Sequence, residues 1–240
     1  MTIGAMILAA GRGERMRPLS DATPKPLLDV GGKPLIVWQI EALARAGLSD
    51  IVVNVAHLPE RFIARLGDGR ALGVRIAWSI EPTALETAGG IATALPLLPP
   101  GPAVIVSADI WSTYDYAPLV ARAAAMARDA TAPRAHLVMV ANPPYHAAGD
   151  FAFVAADGGT QGRLALDGAP KLTYGNIGVY DLALFAELPR GVKLKLAPLL
   201  TDWIGRGLVS AEVHAGPWAN VGTPADLAEL DASLAGKARP

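Results

Sequence analysis

"LAAGRGERMRPLSDATPKPL", Leu8 to Leu27, continues an apolar run that begins at Ile3 and ends at Ala9. An unbroken apolar run of that length suits a central parallel strand covered on both faces. Gly11 and Gly13 bracket Arg12, then Arg15 and Arg17 follow, and Lys25 stands between Pro24 and Pro26. A strand feeding a glycine-rich loop and then cations is a phosphate-binding arrangement. Glycine lets backbone N–H groups approach oxygen closely, and arginine pairs with phosphate through a planar fork. A dinucleotide fingerprint would need a third glycine where Met16 stands, and the Gly-Lys-Ser/Thr ending of a P-loop is missing. Pro24 and Pro26 restrict the backbone around Lys25, so its ammonium group can be aimed with little entropy left to lose. The stretch predicts a loop that holds a triphosphate, with Lys25 directed at the phosphorus under attack. The alternative is a solvated basic surface loop, a description that suits Arg12 and Arg17.

Outward from this loop the first half alternates strand and helix signals. Leu35, Ile36, Ile40, Leu43 and Ala44 share one helical face, with Gly47 placed to end the helix. "DIVVNV" (50–55) and "VRIAWS" (74–79) read as strands, separated by a short helix that Pro59 starts. A helix is expected near 91–95, a fourth strand "AVIVSAD" ending at Asp109, a helix over 116–128, and a further strand "AHLVMVA" repeating the unit. Such repetition predicts an α/β fold, a Rossmann-like, mostly parallel sheet with helices on both faces. Ligands then bind beyond the carboxyl ends of the strands, where the opening loop, "ETAGG" and Asp109 should gather. After Asn142 the short strands and Gly-rich turns of 151–181 predict a small antiparallel insertion that walls one side of the cleft. Thr223 and Pro224 mark the start of a last helix. The expected division is one domain over 1–240, with a nucleotide-binding half (1–141) and a sugar-binding half (142–240).

With 21 basic and 22 acidic residues the charge balances, which argues against a nucleic-acid partner. Without cysteine there is no disulfide framework and no thiolate chemistry, as suits the cytoplasm. No apolar run approaches the roughly 18 residues that a membrane span needs. The histidines His57, His136, His146 and His214 are scattered and read as structural or surface residues.

The stretch from Leu8 to Leu28 resembles the signature of the sugar-phosphate nucleotidylyltransferases, G-x-G-x-R-x-x-P-L-[ST] followed by P-K-P-L. "LETAGGI", "SADIWSTYDY", "GNIGVYDLALF", "KLAPLL" and "WANVGTPADLAEL" extend the likeness along the chain. The resemblance implies a nucleoside triphosphate and a sugar 1-phosphate as partners, pyrophosphate as the leaving group, Mg2+ as the cofactor, and a monomer or small homo-oligomer. No covalent intermediate is needed, so the protein's task is positioning and charge neutralisation.

The family's roles map onto residues here as follows. Arg15 would hold the β- and γ-phosphates, and Lys25 would bridge the α-phosphate and the attacking phosphate. Leu8, Ala10, Gly11 and Gly13 would line the nucleotide site, together with Glu81, Glu86, Thr87 and Gly89 around the base. A carboxylate accepts but does not donate, so Glu81 would favour the N3–H of uracil or thymine over the bare N3 of cytosine; guanine is not excluded. Asp109 would hold Mg2+ and meet the substrate, and Asn176 would reach an acetamido group on the sugar. Relatives usually carry Asp in W-x-D-[IV]-G-T as a second metal ligand; here Asn220 takes that place. An amide oxygen can also bind Mg2+. The "E-K-P" segment of many hexose enzymes is absent, with "GDFAFV" in its region, which argues against a glucose 1-phosphate enzyme. The resemblance thus implies a uridylyltransferase on an amino-sugar 1-phosphate. Competing readings are a guanylyl- or thymidylyltransferase, a nucleotide-sugar-binding subunit without the reaction, and a Rossmann dehydrogenase; Met16 and Pro-Lys-Pro weigh against the last.

Overall fold

The structure, a computed structural model, describes residues 2–236. In chain order the strands are β1 (Gly4–Leu8), β2 (Asp29–Val30), β3 (Lys33–Pro34), β4 (Asp50–Val55), β5 (Arg75–Ile80), β6 (Pro102–Ser107), β7 (Ile110–Ser112), β8 (Ala135–Val140), β9 (Phe151–Ala155), β10 (Gln161–Ala165), β11 (Lys171–Asp181), β12 (Val209–Val213) and β13 (Trp218–Asn220). The α-helices are α1 (Leu19–Ala22), α2 (Leu35–Arg45), α3 (Pro59–Leu66), α4 (Glu86–Ala94), α5 (Ala117–Met126), α6 (Leu196–Gly205) and α7 (Pro224–Ala235).

Nine strands form one sheet in the order β5-β4-β1-β6-β11-β8-β12-β10-β9. The first four pair in parallel, with Met6 opposite Val52 and Ile105. Successive residues of β1 point to opposite faces, and both faces are covered. Ala5 and Ile7 join the core under α2, α3 and α5, while Met6 joins the core under α4 and α6. This explains the unbroken apolar run: a strand buried on both sides has no polar face to show. Among the described residues no helix is long and apolar enough to cross a membrane.

The parallel repeat stops earlier than the local pattern suggests. β11 does not merely wall the cleft; it enters the centre of the sheet, antiparallel to both β6 and β8. Its Gly178 permits this, because a Cβ there would lie 2.9 Å from the carbonyl oxygen of His136. The register of β11 against β8 shifts between Tyr174 and Gly178, and Asn176 within that bulge has φ +57. Asparagine tolerates the left-handed region better than most side chains.

A buried polar cluster stitches β8 to β12. His136 is fully buried, with Nδ1 2.8 Å from Ser210 Oγ and Nε2 3.5 Å from Glu212 Oε2. Glu212 also accepts from the Tyr114 hydroxyl and, at 2.6 Å, from Gln161 Nε2. Burial pushes the Glu212 carboxyl up, but these hydrogen bonds outweigh it and hold it down at about 2. Burial pushes His136 below its ordinary value, so the ring is neutral.

The last segment returns to the opening loop. Met16, Val30, Leu35, Trp111, Val221 and Leu230 form a third buried cluster. Met16 is therefore an apolar anchor, which accounts for its standing where a dinucleotide fold has glycine. Helix α7 begins with a capping box: Thr223 Oγ1 accepts from Asp226 N, and Asp226 Oδ2 accepts from Thr223 N and Gly222 N.

Candidate active site

Because β4, β1 and β6 run parallel, their carboxyl ends open on one edge of the sheet. The opening loop leaves β1 there, Asn54 stands near the end of β4, and Asp109 lies two residues past β6. Two cavities, about 390 and about 610 Å³, lie along this edge. They share Leu8, Glu86, Thr87 and Ser107, so they are two halves of one cleft.

The smaller half collects Leu8, Ala10, Gly11, Lys25, Thr87 and Asp109, with Arg12 also on its wall. A Cβ on Gly11 would meet nothing within 4 Å. The protein's own packing therefore does not demand glycine here; the bare backbone faces open cleft, as a phosphate cradle requires. Gly13 is different: it has φ +66, and a Cβ there would crowd Lys25 Cβ at 3.0 Å. It does not line the cleft but lets the loop turn over the lysine stem. The turn is tied down by Ser20 Oγ donating to the Gly13 carbonyl at 2.8 Å. Lys25 opens a 3-10 turn, and its Nζ lies 2.6 Å from Asp109 Oδ2.

The larger half is lined by Arg15, Tyr145, Asn176, Lys195, Trp218 and Asn220, among others. Arg15 thus faces this half rather than the glycine loop. Its guanidinium lies over Gly222, where a Cβ would be 2.9 Å from an Nη. Among the described residues Arg15 and Lys195 have no ion pair, whereas His146 Nε2 lies 3.0 Å from Asp150 Oδ1. Tyr145 stands exposed at the mouth; burial of its tip and the charge of Asp226 push its hydroxyl up, and Arg15 opposes them. Neither Tyr145 nor Lys195 carries a local sequence signal; only the fold brings them to the cleft.

Two residues expected at the base, Glu81 and Gly89, line neither cavity. Glu81 is 2 % exposed and does not line the cleft. Its Oε1 accepts from Asn54 Nδ2 at 2.7 Å and its Oε2 from Leu85 N at 2.9 Å. Burial pushes this carboxyl up, and the two hydrogen bonds oppose that. Asn54 stands in front of it, on the cleft wall. Gly89 is a packing glycine: a Cβ would lie 2.1 Å from the Val192 carbonyl oxygen, and its N–H donates to Leu194 O. Glu86, by contrast, lines both halves, and its φ of +61 is unusual for a side-chain-bearing residue.

The donor set at the junction suits a hard cation. Val221 N donates to the Asp109 carbonyl at 2.9 Å, and Asn220 pairs with Ile110 across the β7–β13 ribbon. Asn220 and Asp109 are therefore neighbours. Asn220 Oδ1 is buried with no hydrogen-bond partner among the described residues. A buried acceptor of this kind is costly unless something meets it. Among the described residues there is no group of three or more His, Cys, Asp or Glu side chains. Two oxygen ligands leaving room for substrate and water match Mg2+ better than Zn2+.

The chain has counterparts among known proteins. Residues 4–163 match the nucleotidyl transferase family. The chain belongs to that family. It is 45% identical over 233 residues to an N-acetylmuramate alpha-1-phosphate uridylyltransferase of Neisseria meningitidis serogroup B, covering 97% of this chain and 98% of the relative. An enzyme of the same description from Caulobacter vibrioides is 35% identical, covering 96% of each chain. A Mycobacterium tuberculosis mannose-1-phosphate guanylyltransferase is 30% identical over 97% of this chain and 64% of its own length. In fold, the chain is similar to a Bacillus anthracis crystal structure provisionally assigned as a glucose-1-phosphate thymidylyltransferase, with TM-score 0.81 and 20% identity over 97% of this chain and 95% of that one.

Proposed function

We propose that this chain transfers a uridylyl group from UTP to N-acetylmuramate 1-phosphate, releasing pyrophosphate. The observation that carries the reading is a cleft in two connected halves. One has a bare glycine loop with Lys25 beside it; the other, larger, has two cations, Arg15 and Lys195, that form no ion pair among the described residues. The end-to-end likeness to two N-acetylmuramate enzymes supports the choice of sugar. In this reading residues 1–141 hold the nucleotide, and the residues after them supply most of the sugar side.

In the reaction a phosphate oxygen of the sugar 1-phosphate forms a bond to the α-phosphorus. The bond from that phosphorus to the bridging oxygen breaks, and the electron pair leaves with pyrophosphate. Lys25 spans the α-phosphate and the incoming phosphate, offsetting charge that would otherwise keep two anions apart. Arg15, from the larger half, holds outer phosphate oxygens through its fork. The backbone of Ala10 and Gly11 orients the triphosphate, and Asn176 reaches the acetamido group. Asp109 and Asn220 would hold Mg2+, which, when bound, neutralises phosphate charge together with substrate and water oxygens.

The test is a pyrophosphate-release screen of UTP, dTTP, GTP and CTP against N-acetylmuramate, N-acetylglucosamine and mannose 1-phosphates. UTP with N-acetylmuramate 1-phosphate should be fastest. GTP with mannose 1-phosphate as the best pair would establish the guanylyl reading instead.

A further inference from the structure

The base end of the cleft is built on a chain of buried hydrogen bonds. Ala9 N donates to Asn54 Oδ1 at 2.9 Å, Asn54 Nδ2 donates to Glu81 Oε1 at 2.7 Å, and Leu85 N donates to Glu81 Oε2 at 2.9 Å. Asn54 and Glu81 are each 2 % exposed. The chain joins the first residue of the phosphate loop to the residue that precedes α4, whose Glu86 and Thr87 line the cleft. The Glu81 carboxylate fixes the amide orientation: it only accepts, so Asn54 must turn Nδ2 toward it, and Oδ1 then shares Ala9 N–H with the Asn54 carbonyl oxygen, which lies 3.2 Å away.

The surrounding sequence makes room for this pair. A Cβ on Gly90 would lie 2.6 Å from Asn54 Nδ2 and 2.9 Å from Glu81 Oε1. The second glycine of "ETAGG" is thus accounted for by the pair itself. Asn54 Nδ2 carries two hydrogens. Glu81 takes one, and the other has no acceptor among the described residues. Asn54 also lies on the wall of the smaller cavity, in company with Ala84 and Thr87. Strand order places it at the far end from the reacting groups: β4 flanks β1 on one side, and β6, which leads to Asp109, flanks it on the other. A triphosphate with its phosphates near Lys25 therefore puts its base toward Asn54.

We propose that Asn54 is the side chain that reads the base, offering one N–H to the carbonyl oxygen at C4 of uracil or C6 of guanine, and that Glu81 is a positioning residue that holds it. Such a donor accepts a keto base, uracil or guanine, and rejects the amino counterpart, cytosine or adenine, whose exocyclic N–H2 would meet it donor to donor. This inference rests on the nucleotidyl-transfer reading and deepens it.

The test exploits the direction of the chain. In Asn54→Asp two carboxylates face each other; in Glu81→Gln the new amide nitrogen confronts Leu85 N–H. The double variant restores every bond with one link reversed: the new carboxylate at 54 accepts from Ala9 N and from the new amide at 81, whose oxygen accepts from Leu85 N. Position 54 then shows the cleft only acceptors. Melting temperature and kcat/KM are measured for all four proteins with UTP, CTP, GTP and ATP. Each single variant should melt several degrees lower. The double variant should recover its melting temperature, while its keto-over-amino preference falls roughly tenfold or more. Recovery of both stability and the original preference would make the pair purely structural and overturn the proposal. A double variant as unstable as the singles would overturn the hydrogen-bond chain as drawn. If the unmodified enzyme uses GTP best, the uridylyl reading fails but the inference stands on the GTP/ATP ratio. If it uses CTP or ATP better than the keto partner, the inference fails.

Discussion

Lys25 Nζ lies 2.6 Å from Asp109 Oδ2, joining two residues 84 positions apart across the mouth of the cleft. The Lys25 side chain is 11 % exposed and that of Asp109 29 %. In the proposed reaction an ammonium held this way would be aimed before any substrate arrives, and phosphate would then replace the carboxylate as its partner. Lys25→Ala should lower kcat by roughly a hundredfold or more, with near-native circular dichroism. Turnover close to that of the unmodified protein would remove Lys25 from the mechanism.

Asn220 Oδ1 is a buried acceptor awaiting a partner. An amide brings less charge to a cation than a carboxylate, so the free protein should bind Mg2+ weakly and the nucleotide complex more tightly. Asn220→Asp should raise the affinity of the free protein, and Asp109→Asn should be close to inactive. Calorimetric Mg2+ titrations with and without nucleotide decide this. If Asn220→Ala changes neither affinity nor turnover, Asn220 is not a ligand.

Lys195 lines the larger half of the cleft without an ion pair among the described residues. N-acetylmuramate differs from N-acetylglucosamine by a lactyl ether that ends in a carboxylate, and in the proposed reaction Lys195 would meet that charge. Lys195→Met should reduce the preference for N-acetylmuramate 1-phosphate over N-acetylglucosamine 1-phosphate by roughly three- to tenfold, a moderate effect because the lysine is solvated. The ratio of kcat/KM values is the readout; an unchanged ratio would exclude the contact.

The cluster of His136 and Glu212 predicts acid lability with a definite sign. Glu212 is held at about 2, below its ordinary value of 4.5. Its contribution is full above 4.5 and is lost as pH falls toward 2. His136 is held below its ordinary 6.5, so the unfolded chain takes up its proton first and stability begins to decline below about 6.5. Melting temperature against pH should fall in both windows. Glu212→Gln should be less stable at neutral pH and flatter between 4.5 and 2; a parallel curve would show that Glu212 is not the titrating group.

Much of this fold is written locally. The apolar run before Gly11, the strand "DIVVNV" at 50–55 and the Thr223-Pro224 helix start all stand where their patterns predict. What local pattern cannot express is pairing order. Nothing in β11 says that it lies between β6 and β8, because antiparallel and parallel neighbours ask for the same apolar residues. Helix α4 begins at Glu86 and not near Ile91, because Gly89 and Gly90 read as breakers until their contacts are known. The site divides in the same way. Asp109 follows β6 directly, and the loop that carries Lys25 follows β1, so both could be placed by topology. Asn54 could have been noticed as the one amide in a strand of apolar residues. Glu81 drew attention as a carboxylate, but a carboxylate's role depends on which donors reach it first, and here those are Asn54 and Leu85.

The ribbon that sets Asn220 beside Asp109 has a consequence for how the protein is made. Residues 218–226 supply Asn220, the Gly222 surface under Arg15 and the cap of α7. A ribosome delivers them after every strand of the main sheet. The same segment brings Val221, which helps to bury Met16 of the opening loop. A product cut short before Trp218 would lack Asn220, the Gly222 surface and that anchor together, so in the proposed reading one late truncation would remove the second oxygen ligand and loosen the loop at once.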